Sequence, residues 1–197
     1  MQVKDKFLEK FNFLFFIFSL CISQNLYAEK IHENVFNYND SLKNSSVSFI
    51  QTTPQMLQEG EIFFGEKRIK IDYNNPQKLT IILSNKKGIY INHELEESEF
   101  FLTNKSYIKI FFDIFHNKNY VKKMTLKQSS NQIEISEKII IDNTEFFIKL
   151  IYENDPIKLR RLEISGNEEK IQMGFFNHVI KDVFDKKFFS MIDPYLN

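Results

Sequence analysis

Residues 59–92, which read EGEIFFGEKRIKIDYNNPQKLTIILSNKKGIYIN, constrain the fold of this chain more than any other stretch. Four short apolar runs are separated there by turn-forming residues, a pattern that predicts consecutive antiparallel strands. In the second run, Ile69, Ile71 and Tyr73 alternate with charged residues, so one face of this strand is apolar and the other is charged. A sheet built from such strands requires a cover for its apolar face.

The composition argues against several classes of function. Lys plus Arg and Asp plus Glu both number 26 and the pI is about 6.9, so the chain lacks the basic excess that would hold nucleic acid. Phe occurs 22 times but Gly only 5 times, which suits a wide apolar core or pocket better than a nucleotide site. Because Cys21 is the single cysteine, a disulfide framework is excluded and thiol catalysis is not expected.

The N-terminus has the three-part layout of a secretory signal peptide, with lysines before an apolar run at 11–22 and a small residue, Ala28, at its end. We expect residues 1–28 to be removed and residues 29–197 to form a single domain that works in a bacterial periplasm. The apolar run is shorter than the roughly 20 residues of a transmembrane helix. An uncleaved anchor and a lipoprotein acylated at Cys21 remain as alternatives.

Two amphipathic helices are expected. The first follows the signal peptide, with apolar residues at helical spacing, and ends near residues 43–44. The second begins near residue 106 and is apolar along most of one side, so it covers a core or a pocket. The apolar residues that define the two helices are Ile31, Val35, Tyr38 and Leu42, and then Ile108, Phe111, Phe112 and Phe115.

The rest of the chain predicts strands with one apolar and one polar face. About ten such strands in the mature chain favour a strongly curved antiparallel half-barrel, mostly β, with helices capping its concave apolar face. The segment 179–184 is predicted to be helical or irregular. The predicted strands are 46–53, 60–64, 68–73, 78–84, 89–92, 99–103, 124–128, 132–135, 138–142, 145–152, 157–165 and 170–176, with a terminal strand at 188–192.

Catalytic and metal-binding patterns are not evident. The histidines His32, His93, His116 and His178 are scattered without metal-ligand spacing, so we expect ordinary surface or boundary roles and no metal or cofactor. No nucleophile elbow or phosphate-binding glycine loop occurs, which argues against an enzyme. Glutamates at 94–99 are expected to lie in a solvated hairpin, and the basic residues at 67–70 and 160–161 on wet strand faces.

Several motifs together resemble the periplasmic outer-membrane lipoprotein carrier family, LolA. They are the segment SFIQ at 48–51, Gly60 opening a strand, RIKIDYNNP at 68–76, GIYIN at 88–92, IQMGFFN at 171–177 and KKFFSMIDP at 186–194. The resemblance covers most of the mature chain in order and spacing. It implies a half-barrel with a helical lid that receives acylated lipoproteins from an inner-membrane transporter and delivers them to an outer-membrane acceptor.

The resemblance also implies which side chains serve the cargo. The family usually has an arginine-containing turn before the RIKIDY strand that helps to latch the lid, whereas this chain has Gly65, Glu66 and Lys67 there. Either Arg68 or Lys67 takes over that role, or the latch is different, and Arg68 is the candidate that we name. The expected lid residues are Val35, Tyr38, Leu42, Phe111, Phe112 and Phe115. The expected lining of the acyl-chain cavity is Phe49, Ile69, Ile71, Tyr73, Ile81, Leu83, Phe146, Ile148, Leu150, Met173 and Phe175.

The leading hypothesis is therefore a monomeric carrier that binds the acyl chains of lipoproteins and shuttles them from the inner to the outer membrane, with no nucleic-acid partner. A periplasmic lipid-binding or lipoprotein-sensing protein on the same scaffold is the main alternative. A membrane-fixed acceptor would require acylation of Cys21, and a secreted enzyme would require a nucleophile and base that the sequence does not display.

Overall fold

A computed structural model describes residues 29–103, 108–141, 143–166, 170–180, 183–185 and 187–196. The predicted signal peptide, residues 1–28, lies outside the described residues. Eleven strands form one antiparallel sheet in the order β6-β5-β4-β3-β2-β1-β11-β10-β9-β8-β7, and β6 and β7 lie at its two ends without closing it. The expected mostly β half-barrel with helices is confirmed.

The strands alternate apolar and polar residues as the sequence predicts, which gives the sheet two chemically different faces. Each strand pairs with its neighbour in antiparallel register, and β1 joins the two halves of the sheet by pairing with β11. The strands are β1 Ser45–Thr52, β2 Leu57–Phe64, β3 Ile69–Asn75, β4 Leu79–Leu83, β5 Lys87–Asn92, β6 Glu97–Leu102, β7 Thr125–Gln128, β8 Gln132–Ile141, β9 Thr144–Asn154, β10 Ile157–Ser165 and β11 Lys170–Ile180.

Three helices accompany the sheet. Within the described residues α1 covers 29–41, α2 is Ile108–His116 and α3 is Lys118–Val121. The Asn117 side chain caps α3 by accepting hydrogen bonds from the backbone N–H groups of Asn119 and Tyr120. The apolar residues of α1 and α2 belong to the same cluster as one face of the sheet, which we call the concave face.

Close packing on the concave face requires a glycine in β2. Gly60 pairs with Phe49 of β1, and the Phe49 ring lies over it. A Cβ atom at Gly60 would stand 2.8 Å from that ring and 2.1 Å from the carbonyl oxygen of Asp72 on β3. A side chain at this position would therefore push apart the strands at the centre of the half-barrel.

Three details of the predicted elements are wrong. The segments 132–135 and 138–142 are expected as two strands, but β8 is one strand, because Ser136 and Glu137 sustain its pairing with β9. Strand β11 continues to Ile180 through a bulge opposite β1, so 179–180 is neither helical nor irregular. The segment 188–192 forms turns and irregular structure, and its apolar side chains pack on the sheet in place of strand pairing.

The C-terminal segment, residues 183–185 and 187–196, covers the other face of the sheet, which we call the convex face. The rings of Phe184 and Phe188 stack on each other with centroids 4.9 Å apart, and Phe188 meets Phe63 of β2 at 4.8 Å. Further along, Met191 and Tyr195 pack on a second apolar cluster formed by Ile82, Ile89 and Ile91. The outer surface of β2–β5 is thus covered by the chain itself.

We call the two ends of the half-barrel the top end and the bottom end, according to the turns that they carry. The top end carries the turns between β2 and β3 and between β4 and β5. The bottom end carries the turns between β1 and β2, between β3 and β4 and between β5 and β6.

Candidate ligand-binding site

Helix α2 is the principal cover of the concave face. It buries Ile110, Phe111, Phe112, Ile114 and Phe115, and the Phe115 ring packs against Phe64 of β2 with centroids 4.7 Å apart. Each buried side chain of this size contributes about 1.5–3 kcal/mol of transfer free energy. The hydrophobic effect therefore holds α2 on the sheet, as it would hold any apolar ligand that took its place.

The structure brings the sequence-predicted residues together. All the predicted lining and lid residues are buried in, or packed partly buried against, one apolar cluster between the sheet and the helices. Phe49, Ile148 and Leu150 are at most 1 % exposed, so they form the floor of that cluster. The predicted lid residues Val35 and Leu42 of α1 are buried there as well, and Tyr38 is partly buried.

A small cavity remains between α2 and the sheet, with a volume of about 100 Å³. Five predicted lining residues and the lid residue Phe111 line it, whereas the other predicted lining residues lie in the surrounding core. Five further residues line it although they were not predicted to do so: Gln51, Ile108, Leu162, Ile164 and Ile171. The complete lining is Gln51, Ile71, Tyr73, Ile81, Leu83, Ile108, Phe111, Leu162, Ile164, Ile171 and Met173.

Helix α2 leaves little space between itself and the sheet in this structure. Pockets that enclose a drug-sized ligand have volumes of about 300–1,000 Å³. The cavity of about 100 Å³ is well below that range. A larger apolar ligand would fit there only if α2 moved away from the sheet.

The cavity is covered less completely at the bottom end. At the top end Ile69 is 0 % exposed and Leu83 is 1 % exposed. Toward the bottom end of the same sheet, Tyr73, Ile81 and Ile171 are only partly buried although they belong to the same cluster. An apolar ligand would meet less resistance from the bottom end.

A short hydrogen-bonded chain lies at the bottom end of the cavity. The Tyr73 hydroxyl donates to Oε1 of Gln51 at 3.0 Å, and Nε2 of Gln51 donates to Oε1 of Gln58 at 3.0 Å. The Phe49 ring packs edge-on against Tyr73 with centroids 5.1 Å apart. These contacts fix a polar amide in a lining that is otherwise apolar.

A second polar chain joins the two helices to the sheet. The side chain of Asn39, which is 1 % exposed, donates to the carbonyl oxygen of Ile114 near the end of α2 at 3.2 Å. The Tyr152 hydroxyl of β9 donates to Oδ1 of Asn39 at 3.2 Å. Burial raises the pKa of Tyr152, so its hydroxyl remains a donor at neutral pH. Asn39 thus satisfies a carbonyl that the end of a helix leaves unpaired.

His116, the last residue of α2, connects the lid to the β2–β3 turn. Its Nε2 lies 3.1 Å from the carbonyl oxygen of Gly65, its Nδ1 lies 3.2 Å from that of Phe112, and its ring stacks on the Phe112 ring at 4.3 Å. Burial is the main cause that lowers the pKa of His116 below its usual value, against the two carbonyl contacts. The neutral imidazole is therefore the form that the closed lid favours.

The contact found for Arg68, the candidate latch, is on the opposite face. Its guanidinium donates to the carbonyl oxygen of Phe189 in the C-terminal segment. Arg68 immediately precedes Ile69, whose side chain is buried on the concave face, and alternation along a strand directs neighbouring side chains to opposite faces. The hydrogen bond from the lid to this turn comes from His116 instead.

A larger groove, of about 630 Å³, lies at the top end outside the apolar site. Charged residues of the two top-end turns, among them Lys67 and Lys86, face the end of α2 across it. It is open to solvent, and most of its lining residues are charged or polar, with Phe112 and His116 of α2 on one side. It therefore differs from the cavity under α2, whose lining residues are almost all apolar.

Histidines and carboxylates elsewhere in the fold are the usual candidates for a metal site. Within the described ranges, no group of three or more His, Cys, Asp or Glu side chains could hold a metal ion. His93, expected at the surface, lies 3.0 Å from the Tyr195 hydroxyl and 2.9 Å from that of Thr80. No described helix is long and apolar enough to cross a membrane.

Fold and site together define an open antiparallel half-barrel whose helical lid encloses an apolar cavity. No protein-family model matches the chain, and no curated protein matches it either. A conserved, uncharacterized protein from Thermus thermophilus shares the fold with a TM-score of 0.55 and 4 % identity over 84 % of this chain and 95 % of that one.

Two other solved structures superpose less well. LprF from Mycobacterium bovis has a TM-score of 0.40 and 12 % identity, covering 81 % of this chain and 96 % of that one. A DUF1329 family protein from Desulfovibrio piger has a TM-score of 0.36 and 5 % identity, covering 81 % and 95 %.

The sequence did not single out the polar residues of the site. Asn39 occupies the helical position between Val35 and Leu42, so the apolar stripe of α1 contained a signal, namely a polar residue on a buried face. Gln51 likewise follows Phe49 by two residues and shares its face. His116 carried no such signal, since the Gly65 carbonyl that it contacts is 51 residues away in sequence.

Proposed function

We propose that this chain is a non-catalytic periplasmic carrier that binds the acyl chains of lipoproteins and shuttles them from the inner to the outer membrane. Its partners would be acylated lipoproteins, an inner-membrane transporter that releases them and an outer-membrane acceptor, and it would act as a monomer. The observation that carries the proposal is an apolar cavity beneath a helix that packs on an open sheet through side chains alone.

Acyl chains require such a cavity to cross an aqueous compartment. Each methylene moved out of water contributes about 0.8 kcal/mol, so exposed acyl chains do not travel freely. A carrier must also release its cargo, which favours a binding surface that is apolar and adaptable. A movable α2 would make the binding surface adaptable. When α2 moves away from the sheet, the apolar lining that it covered becomes the surface to which a ligand binds.

The direct test is to purify the protein from its native periplasm without detergent and identify bound molecules by mass spectrometry. Acylated protein in stoichiometric amount is the expected result. Phospholipid alone would favour a lipid-binding protein on the same scaffold. If neither is present and the protein does not bind acylated peptides afterwards, the carrier proposal is wrong.

A variant that fills the cavity sharpens this test. Ile81→Trp adds bulk to the lining under α2, and we expect it to lower acyl-peptide affinity more than about tenfold while the fold is retained. Ile50→Trp is the matched control, because Ile50 lies on the convex face of β1 and is 37 % exposed. If both variants lost affinity equally, acyl-peptide binding would not depend on the cavity, and the proposal would be contradicted.

A further inference from the structure

We propose that the side-chain amide of Gln51 donates a hydrogen bond to the ester carbonyl of an acylated glycerol at the bottom end of the cavity. The ligand would then enter tail first from that end. This inference rests on the proposed function and names the group that the site recognises beyond the acyl chain. It starts from Gln51, which is the one primary amide among the described residues that line the cavity.

The amide of Gln51 is held in one orientation. Its oxygen accepts from the Tyr73 hydroxyl at 3.0 Å, and its nitrogen donates one N–H to Gln58 at 3.0 Å. A primary amide has two N–H donors. Within the described part of the chain the second N–H of Gln51 makes no hydrogen bond, so it can serve an acceptor that enters the cavity.

The rest of the lining selects a neutral acceptor. Apart from Gln51 and the Tyr73 hydroxyl, every described residue that lines the cavity is aliphatic, aromatic or methionine, and none of these carries a charge. A carboxylate placed there would lose its hydration without gaining a cation, which is costly. An ester carbonyl has acceptors and no charge, so it matches an amide N–H in this setting better than a free fatty acid does.

The position of the amide sets the direction of entry. Gln51 and Tyr73 lie at the bottom end, where the apolar cluster is only partly covered. Leu83, toward the top end, and Phe111, on α2 itself, are both buried. A ligand whose carbonyl stops at Gln51 therefore extends its hydrocarbon toward Phe111 and leaves its polar head at the bottom end.

The experiment compares ester-linked with ether-linked ligands, which differ only in the carbonyl. One pair is a synthetic peptide carrying diacylglyceryl or dialkylglyceryl cysteine, and the other is a diacyl or dialkyl phosphatidylcholine. Affinities are measured by displacement of an environment-sensitive dye from the mature chain. We expect the ester of each bound pair to bind about three- to tenfold more tightly, the range for one hydrogen bond.

Variants assign that preference to the amide. Gln51→Leu should bring the ester-to-ether ratio to about one while both ligands still bind. Tyr73→Phe removes the hydroxyl that positions the amide, so it should lower the ratio without abolishing it. Gln128→Leu is the matched control, since the Gln128 amide donates to Asn154 at 3.1 Å on the far edge strand, and it should leave the ratio unchanged.

The outcomes are distinguishable. Equal binding of ester and ether by the wild-type protein overturns the assignment of Gln51 and leaves the carrier proposal intact, as does tighter binding of a free fatty acid than of its methyl ester. Binding of none of these ligands overturns the carrier proposal, and this inference with it. An ester preference in the peptide pair or in the phosphatidylcholine pair supports the inference and identifies the source of the carbonyl.

Discussion

The two faces of strands β2–β5 are both covered by apolar side chains, but the covers are built differently. On the concave face, helix α2 packs over a lining that retains a cavity of about 100 Å³, and polar contacts lie near its end, at Ile114 and His116. Because α2 makes these polar contacts near one end and lies over a partly empty space, its other end is free to move away from the sheet.

On the convex face, the C-terminal segment packs ring against ring. The Lys70 ammonium lies 4.3 Å from the Phe188 ring centroid and 2.9 Å from the Asp72 carboxylate, while Arg68 donates to the Phe189 carbonyl. Cation–π contacts, an ion pair and a backbone hydrogen bond are thus distributed along this cover. The difference teaches that one face of a strand can be covered by closely packed rings while the cover of the other face leaves a cavity.

The largest expected effect is on stability, when the C-terminal segment loses its main contact with the convex face. Phe63 is 7 % exposed and meets both Phe184 and Phe188, so Phe63→Ala should lower the free energy of unfolding by about 3–4 kcal/mol, measured by urea denaturation. Acyl-peptide affinity at low temperature should not change. Phe100→Ala, at a phenylalanine that is 52 % exposed, is the control. A parallel loss of affinity in Phe63→Ala would show that the two covers are not independent.

A smaller effect is expected on the concave cover. Asn39→Ala leaves the Ile114 carbonyl and the Tyr152 hydroxyl buried without their partner, which should cost about 2–3 kcal/mol of stability. Because the ligand binds the open state, this variant should also raise acyl-peptide affinity a few-fold, measured by displacement of an environment-sensitive dye. Asn37→Ala, at an exposed position of the same helix, should change neither quantity. Lower affinity in Asn39→Ala would contradict the role of Asn39 in holding α2 on the sheet.

The smallest effect concerns pH. Because burial lowers the pKa of His116 in the closed state, the open state binds more protons below the usual histidine pKa of about 6.5. The contribution of neutral His116 to closure is therefore complete above about pH 6.5 and is lost as the pH falls below it. Because the ligand binds the open state, we expect acyl-peptide affinity, measured by displacement of an environment-sensitive dye, to rise a few-fold as the pH falls from about 7.5 to 5.5.

Two variants assign this pH dependence. His116→Gln should abolish most of it. His178→Gln should leave it largely in place, although burial also lowers the pKa of His178, which packs against Tyr38 at 6.4 Å. A pH dependence that survives in His116→Gln and disappears in His178→Gln would assign the switch to α1 instead.

Local alternation was sufficient to predict most of the strands and the inward faces of several. Ile69, Ile71 and Tyr73 lie on the concave face, as do Ile81 and Leu83, because a period of two leaves a strand little choice once one face must be buried. The pattern was ambiguous for 89–92, where Ile89 and Ile91 could face either way. The structure directs Ile89 and Ile91 to the convex face, under Met191 and Tyr195.

By itself, the sequence determined the class of fold and the apolar character of the site, since hydrophobic periodicity is a local property of each strand and helix. Only the tertiary structure decided which polar residues act there. Gln51 meets Tyr73, Asn39 meets Tyr152, and His116 meets Gly65 across separations of 22, 113 and 51 residues. Contacts between residues so far apart depend on how the sheet curves and where the helices cross it, which no local pattern encodes.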